Sequence, residues 1–349
     1  MSDQKLFSVI LTHSEVPFRP VRPFHPRGGS KVYRHHAVNI WAKGRGVSLS
    51  YILLFFFLLT GPIAFAQFTT EQTASLKAYE DTIRNLSETV IRADSESIRT
   101  KACYALIPKL VAALKTPGSF KYPFSSVETM SILYPQDSSF RIFNWMLSRD
   151  DGSYRYYAAI QKNNLEKLEL IPLLDRSDSL LSPLDTILTA KSWLGALYYN
   201  IYEVKIDDKP YYMLFGWEGN DLLSTKKLID VMYFDDSGKP KFGASIFDMG
   251  NGTRHKRFIL EYKKEASASL NYSPEQNMIV FDHLAGESGK ATDLGFALVP
   301  EGSYDGFKWK GDHWEFVEDV IKGTDDSKKN TPVPLPQGSH NMMDPTKKP

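Results

Sequence analysis

Residues 307–316, Phe-Lys-Trp-Lys-Gly-Asp-His-Trp-Glu-Phe, decide the fold class of this chain. Gly311 and Asp312 tolerate the positive φ angles that a two-residue hairpin turn requires. Such a turn pairs Trp309 with Trp314, Lys308 with Glu315 and Phe307 with Phe316. Aromatic pairs then lie on one face and an opposite-charge pair on the other, and each pair stabilises a hairpin by about 0.2–1 kcal/mol. The segment therefore predicts two antiparallel strands.

The same period of two extends back from this hairpin to about residue 120. Short segments rich in Asp, Gly, Lys and Pro separate the apolar runs, and these residues favour tight turns. Connections this short join antiparallel neighbours. We predict an antiparallel β-meander domain over residues 119–322, arranged as a sandwich, a barrel-like sheet or one large curved sheet. Its strands are expected at 140–148, 153–161, 194–206, 211–217, 226–234, 241–247, 256–263, 266–272, 277–284, 304–309 and 313–319.

A second hairpin is expected around residues 194–217. A turn at Asp208 and Lys209 places Val204 opposite Met213 and Tyr202 opposite Phe215. The same register places Trp217 opposite Asn200, on the face of Phe215 and Met213, so we expect Trp217 to lie in the core.

Residues 67–118 are predicted to form a helix pair. One apolar stripe has helical spacing, and Thr69 with Gln72 is typical of a capping box at a helix start. A second stripe recurs at every fourth position until Pro117 and Gly118 end the helix. The fold class is therefore α+β. The two stripes are Leu76, Tyr79, Ile83, Leu86 and Val90, followed by Ile98, Ala102, Leu106, Leu110 and Leu114.

An apolar run at residues 51–59 (YILLFFFLL) precedes Ala64-Phe65-Ala66. The run is too short for the roughly 20 residues that span a bilayer, and the small residues fit a signal-peptidase site. We predict a signal peptide at 46–66, cleaved after Ala66, and export to the periplasm or beyond. The alternative is a membrane anchor formed by residues 47–66.

Composition indicates that both ends of the chain are disordered. Residues 1–45 are basic and proline-rich, which predicts a disordered extension or sequence upstream of a later translation start near Val38. Residues 323–349 are polar and proline-rich and are predicted to be a disordered tail.

Charge and cysteine content exclude several classes of protein. Lys and Arg total 42 and Asp and Glu total 41, a balance that argues against a nucleic-acid partner. The single cysteine, Cys103, excludes a disulfide framework and is expected to be a buried helix residue. His255 and His283 would need a carboxylate such as Asp282 to bind zinc, and their spacing matches no zinc motif. We predict neither a metal nor a cofactor.

The best candidate for a ligand site is the segment Trp217, Glu218, Gly219, Asn220 and Asp221, where an aromatic strand ends in a polar loop. Glu218 or Asp221 with Asp248, Asp282 or Glu301 would supply the paired carboxylates of a glycosidase. A further set of aromatic residues is typical of either a sugar-stacking platform or a β-core: Tyr154, Tyr156, Tyr157, Tyr198, Tyr199, Tyr211, Tyr212, Trp309 and Trp314.

Three stretches resemble exported proteins of Gram-negative bacteria that have no assigned function. They are residues 211–221 (YYMLFGWEGND), 235–243 (DDSGKPKFG) and 305–309 (DGFKW), and the resemblance covers about residues 140–319. It implies a cell-envelope setting and no catalytic residue. We expect an exported, non-enzymatic protein that binds a ligand or an envelope component through its β domain. The alternative is a secreted, glycan-directed hydrolase, and a membrane is expected only at an uncleaved signal segment.

Overall fold

The computed structural model describes residues 68–286 and 294–321. The predicted basic extension, signal peptide and tail lie outside the described residues. Within the described ranges, no helix combines the length and the apolar character needed to cross a membrane.

Within these described ranges, two α-helices are followed by sixteen strands, which confirms the α+β class. The helices are α1 (Thr70–Arg92) and α2 (Glu96–Leu114). The first strands are β1 (Ser131–Leu133), β2 (Phe140–Ser148), β3 (Tyr154–Lys162), β4 (Leu170–Leu174), β5 (Leu188–Thr189), β6 (Leu197–Ile206), β7 (Lys209–Glu218) and β8 (Ser224–Phe234). The later strands are β9 (Pro240–Phe242), β10 (Phe247–Asp248), β11 (Arg254–His255), β12 (Arg257–Lys263), β13 (Leu270–Ser273), β14 (Met278–Gly286), β15 (Leu298–Trp309) and β16 (Trp314–Ile321).

The strands form three mainly antiparallel sheets. The first sheet has the order β1-β2-β3-β4, and the central sheet has the order β5-β9-β8-β7-β6, with β12 also paired to β8. The last sheet has the order β11-β10-β16-β15-β14-β13. Neighbouring strands are antiparallel except β10 and β16, which are parallel.

Helices and sheets stack in four layers, with a hydrophobic core between each pair of layers. The first core joins α1 and α2 to the first sheet and includes Leu106 and Trp145. The second lies between the first and central sheets around Tyr198, and the third lies between the central and last sheets around Phe215 and Phe307. Two of the three sheets are therefore covered on both faces.

Strand β2 illustrates how one sequence serves two cores. Phe143 and Trp145 point to the helices, while Phe140 and Ile142 point to the central sheet. Because both faces are covered, β2 is buried along nearly its whole length. It lacks the alternation of apolar and polar residues that is typical of a strand with one solvent-exposed face.

The predicted helix start is confirmed. The Gln72 N–H donates to Thr69 Oγ1 at 3.1 Å, and the Thr69 N–H donates to Gln72 Oε1 at 2.9 Å. The second stripe is wrong at Ile98, whose side chain is 52% exposed. A strict four-residue step drifts around a helix of 3.6 residues per turn, so the stripe cannot stay on one face over the length of α2.

The final hairpin has the predicted register. Trp309 pairs with Trp314, Lys308 with Glu315 and Phe307 with Phe316. Gly311 adopts a φ of 100° in the turn, where a residue with a side chain would be strained.

The predicted register of the β6–β7 hairpin is wrong by a step of two residues along β7. The turn residues are Asp207 and Asp208, which both adopt positive φ (49° and 62°), so Val204 pairs with Tyr211 and Tyr202 with Met213. Because the step is even, each side chain keeps its predicted face near the turn.

A bulge between Tyr198 and Asn200 changes the register further along this hairpin. As a result Asn200 pairs with Phe215, and Trp217 pairs with Leu197 instead of Asn200. Trp217 is half-buried and packs on the second core, whereas Phe215 belongs to the third.

Candidate functional site

The Trp217–Asp221 segment lies where β7 ends, at one edge of the second core. Strand β3 of the first sheet reaches the same edge, and its Tyr156 hydroxyl accepts a 2.8 Å hydrogen bond from the Gly219 N–H. Strands β8 and β12 of the central sheet complete the site from the other side. Residues that are distant in sequence therefore converge on this segment.

Two carboxylates flank a lysine across three neighbouring strands. Glu218 of β7 pairs with Lys226 of β8, and Lys226 pairs with Glu261 of β12. The Lys226 Nζ lies 3.7 Å from Glu218 Oε2. Strand spacing separates the Cα atoms of the two glutamates by roughly 10 Å.

Asn220 connects the two carboxylates. Its backbone N–H donates to Glu218 Oε1 at 2.8 Å, and its side-chain Nδ2 lies 3.4 Å from Glu261 Oε1. Its Oδ1 accepts a 2.7 Å hydrogen bond from Lys226 Nζ. Asn220 adopts a φ of 48°, a conformation that asparagine tolerates better than most residues. Ser224 Oγ completes the network by donating to Glu261 Oε1 at 2.6 Å.

An aromatic wall borders these polar groups. The rings of Trp217 and Tyr154 meet edge to face with centroids 5.2 Å apart, and both side chains are half-buried. Lys264 Nζ lies 5.3 Å from the centre of the Tyr154 ring and donates to the Gly219 carbonyl at 2.6 Å. A Cβ atom at Gly219 would stand 2.3 Å from the Tyr154 ring, so only glycine fits there.

Burial dominates the electrostatics of the site. It raises the pKa of Glu218, whose side chain is only 12% exposed, while the charge of Lys226 and the Asn220 N–H oppose the shift. The carboxylates of Asp175 and Glu261 add to the increase. Burial also lowers the pKa of Lys264. Glu218 is thus a carboxyl group held closer to neutrality than an ordinary glutamate.

Asp221 has a structural role in the loop. Its Oδ1 accepts hydrogen bonds from the N–H groups of Leu223 (2.8 Å) and Ser224 (2.9 Å). Burial acts against ionisation of Asp221, but these two donors and the charges of Lys226 and Lys264 together outweigh it, so the pKa is lowered. Asp221 is therefore charged and shapes the loop.

A buried carboxylate, Asp175, lies behind Glu218. Its oxygens accept hydrogen bonds from the Tyr156 N–H at 3.0 Å and from Ser177 Oγ at 2.7 Å. A Cβ atom at Gly195 would stand 2.5 Å from this carboxyl group, so the glycine allows the close approach. Asp175 acts on Glu218 through its charge.

The structure does not bring the acids suggested by the sequence next to Glu218. Asp248 pairs with Arg254 at 3.4 Å, Asp282 accepts from Ser269 Oγ at 2.7 Å, and Glu301 lies 3.7 Å from His283. All three belong to the last sheet or its loops. The acids whose charges act on Glu218 are Glu261 and Asp175.

The two histidines considered for zinc have separate partners. His255 Nδ1 lies 3.0 Å from Asp185, and His283 Nδ1 lies 2.7 Å from Asp305. Over residues 68–286 and 294–321, no three His, Cys, Asp or Glu side chains are grouped as a metal site would require. Cys103 is fully buried, and its sulfur accepts a 3.3 Å hydrogen bond from the Trp145 indole.

Most of the other aromatic candidates belong to the cores. Tyr154, Tyr199, Tyr211 and Trp309 are half-buried, and the remaining five are buried, namely Tyr156, Tyr157, Tyr198, Tyr212 and Trp314. Of the half-buried four, Tyr154 is the one that contacts Trp217. Tyr154 and Tyr156, whose hydroxyl accepts from the Gly219 N–H, therefore belong to the candidate site.

A polar groove of about 380 Å³ lies elsewhere on the molecule, lined by Gln136, Asp137, Glu203, Val204 and Lys205. Glu203 pairs with Tyr212, six residues before Glu218 on β7, which places the groove roughly 20 Å from the candidate site. Asp137 accepts from the Tyr212 hydroxyl at 2.8 Å. The groove is a separate feature of the first and central sheets.

Sequence reasoning missed Glu261, Lys226 and Lys264. The signal that identifies the first two is strand register, because both align with Glu218 once β7, β8 and β12 are paired. Lys264 carries no such signal, since it lies just beyond the end of β12.

No known protein family matches this chain, and no curated protein is significantly similar to it. Among solved structures, the cryo-EM structure of Morganella morganii TcdA4 is similar at 10% sequence identity with a TM-score of 0.21. That similarity covers 78% of this chain and 10% of the TcdA4 chain.

Proposed function

We propose that the protein is an exported binding protein that holds a glycan at the Trp217–Asp221 segment without cleaving it. The observation that carries the proposal is the Glu218 carboxyl group, whose side chain is 12% exposed and which shares a polar network with Glu261 beside the ring pair of Trp217 and Tyr154.

The chemistry of this arrangement suits a hydroxylated ligand. A sugar presents hydroxyl groups, which donate to carboxylates, and apolar C–H faces, which pack on aromatic rings. Glu218 and Glu261 supply acceptors, Lys226 and Lys264 supply donors, and Trp217 with Tyr154 supplies an apolar wall. Specific small-molecule sites combine these features: an apolar lining and a few fixed polar groups.

The network itself favours binding over hydrolysis. Asn220 engages both Glu218 and Glu261, and Lys226 lies between the two strands that carry them. Carboxylates whose positions are fixed by such hydrogen bonds are suited to orienting a ligand. A hydrolytic water would have to displace part of the network to reach the space between the carboxylates.

A glycan-directed hydrolase is the second candidate, and one observation favours it. Glu218 has a raised pKa, as a general acid requires, and Glu261 lies two strands away. Inverting glycosidases separate their carboxyl groups by about 6.5–9.5 Å. In this alternative Glu218 protonates the leaving oxygen and Glu261 activates water.

Binding is tested by titrating the full chain with a panel of soluble glycans that includes methyl β-D-glucoside, while tryptophan fluorescence is recorded. Glu218→Gln and Glu261→Gln keep the side-chain shapes and remove charge-assisted hydrogen bonds, so each should weaken binding about tenfold. Glu166→Gln, an exposed loop residue, is the matched control and should bind like the wild type.

The panel also separates the two candidate functions. Binding without release of new reducing ends supports the binding protein. Release of reducing ends that is lost in Glu218→Gln supports the hydrolase instead. If no glycan binds, or if both glutamine variants bind like the wild type, the proposed site is wrong.

A further inference from the structure

Two adjacent leucines stand exposed beside the candidate site. Leu222 is 68% exposed and Leu223 is 61% exposed, both in the loop between β7 and β8. Solvent exposure of a leucine side chain forgoes stabilisation that its burial would supply. Exposed apolar groups in clusters are typical of binding surfaces.

Hydrogen bonds hold the backbone of the loop at Leu223. Asp221 Oδ1 accepts from the Leu223 N–H, and the Leu223 carbonyl accepts a 2.9 Å hydrogen bond from the Lys264 N–H. Both backbone groups of Leu223 are therefore held.

The leucines are continuous with the polar network. Leu222 packs on the β2–β3 turn at Gly152, two residues before Tyr154 of the aromatic wall. Ser224, the residue after Leu223, donates to Glu261. A ligand that fills the polar network therefore extends over the leucines if it has an apolar part.

A second pair of exposed apolar side chains flanks the network on its other side. Leu294 is 56% exposed and Phe296 is 45% exposed. Gly295 between them lies against Glu261, where a Cβ atom would stand 2.5 Å from the carboxylate side chain. The polar network thus has exposed apolar side chains on both sides.

We propose that the ligand is an amphipathic glycoside, with its sugar at Glu218 and Glu261 and its alkyl chain on Leu222 and Leu223. This proposal rests on the glycan-binding function proposed above. The acids Asp221, Glu261 and Glu265 outnumber Lys226 and Lys264 around this surface, which disfavours an anionic lipid surface and argues for a single neutral molecule as occupant. A chain of eight carbons is long enough to cover both leucine side chains.

The test compares methyl β-D-glucoside with octyl β-D-glucoside below its micelle concentration. Each methylene group buried on a leucine improves affinity about fourfold, so the octyl compound should bind at least about tenfold tighter. In the Leu222→Ser/Leu223→Ser variant this advantage should vanish, while methyl glucoside binds as before. The control variant Leu181→Ser/Ile187→Ser removes two other exposed apolar side chains and should keep the advantage.

Each contrary outcome has a distinct meaning. Equal binding of the two glucosides by the wild type overturns the amphipathic ligand and leaves glycan binding standing. An advantage that survives in the serine variant places the chain elsewhere and also overturns the proposal. If neither glucoside binds, the proposal falls, and the glycan panel alone decides the proposed function. Leucine-dependent dimers in sedimentation experiments would identify a second copy as the occupant and would overturn it as well.

Discussion

Glu218 is a carboxyl group in a place that disfavours its charged form. Its side chain is 12% exposed, and burial raises its pKa above the ordinary value of 4.5. A carboxyl group whose pKa is higher in the folded than in the unfolded protein binds its proton more tightly in the folded state. The stability that this provides is complete below the unfolded pKa and is lost as pH rises through the folded pKa.

We therefore predict that Glu218→Gln is more stable than the wild type at neutral pH. The neutral amide removes the buried charge and keeps an acceptor for the Asn220 N–H. A gain of 1 kcal/mol corresponds to about 2–4 °C in melting temperature for a domain of this size. Thermal unfolding followed at pH 7 and pH 4 should show the gain at pH 7 and little or none at pH 4, with Glu166→Gln unchanged at both. A variant that is less stable at pH 7 would mean that the pair with Lys226 outweighs the burial.

Trp217 has both a packing role and an exposed edge. It is half-buried, so Trp217→Ala should destabilise the fold by about 2–3 kcal/mol, less than the 3–5 kcal/mol of a fully buried aromatic residue. The variant should also lose glycan binding. Trp309→Ala, a half-buried tryptophan of the last sheet, is the control and should lose stability but keep binding. Chemical denaturation and fluorescence titration measure the two effects, and retained binding in Trp217→Ala would contradict the proposed site.

Residue-level prediction from the sequence succeeds where chemistry is local. The Trp217–Asp221 segment contains Glu218, Asn220 and Asp221, and the loop hydrogen bonds that these residues make span only a few positions. Glu261 lies 43 residues from Glu218 along the chain, and only the pairing of three strands brings the two together. Register of this kind depends on turns and bulges, which local patterns specify weakly.

Among the elements, α1 depends on its apolar stripe for docking to the first sheet. Leu76, Ile83 and Val90 are buried in the first core, and Leu86 packs against it while partly exposed. Leu86→Asp places a charge on that surface and should cost about 2–4 kcal/mol. The matched control Asn85→Asp adds the same charge at an exposed neighbour and should have little effect. Equal melting temperatures for the two variants would mean that the helices do not depend on this contact.

The two hairpins show why the strands were predictable and one register was not. In the final hairpin, Gly311 singles out the turn, so the pairs follow directly. In the β6–β7 hairpin, Asp207, Asp208 and Lys209 offer two competing turns, and the observed one uses both aspartates at positive φ. Aspartate tolerates that conformation better than lysine, which is the physical reason for the observed choice.

At the scale of the whole molecule, the layer order is the feature that no local pattern encodes. The apolar sequence of a strand such as β2 indicates that both of its faces are buried. It does not indicate which element of the fold covers each face. Here one face receives the helices and the other the central sheet, so a single hydrophobic core crosses the predicted boundary between residues 67–118 and 119–322. The division at that boundary stays a prediction, and the shared core argues that the two parts fold together.

Export is the remaining prediction for the whole chain, and it concerns residues outside the described ranges. Leu54→Arg with Phe56→Arg places two charges in the apolar run at residues 51–59, and each charge costs about 2.5–3.5 kcal/mol on the insertion scale. Precursor should then accumulate in the cytoplasm, whereas the wild type should yield an exported product whose first residue is Gln67.

Cell fractionation and N-terminal sequencing of the product measure both effects. Ser8→Arg with Thr12→Arg adds the same charge to the basic extension and should leave export unchanged, because that region precedes the apolar run. An uncleaved wild-type product in the membrane fraction would identify residues 47–66 as an anchor. Full-length wild-type protein in the cytoplasm would contradict export itself, and the glycan site would then need a cytoplasmic ligand.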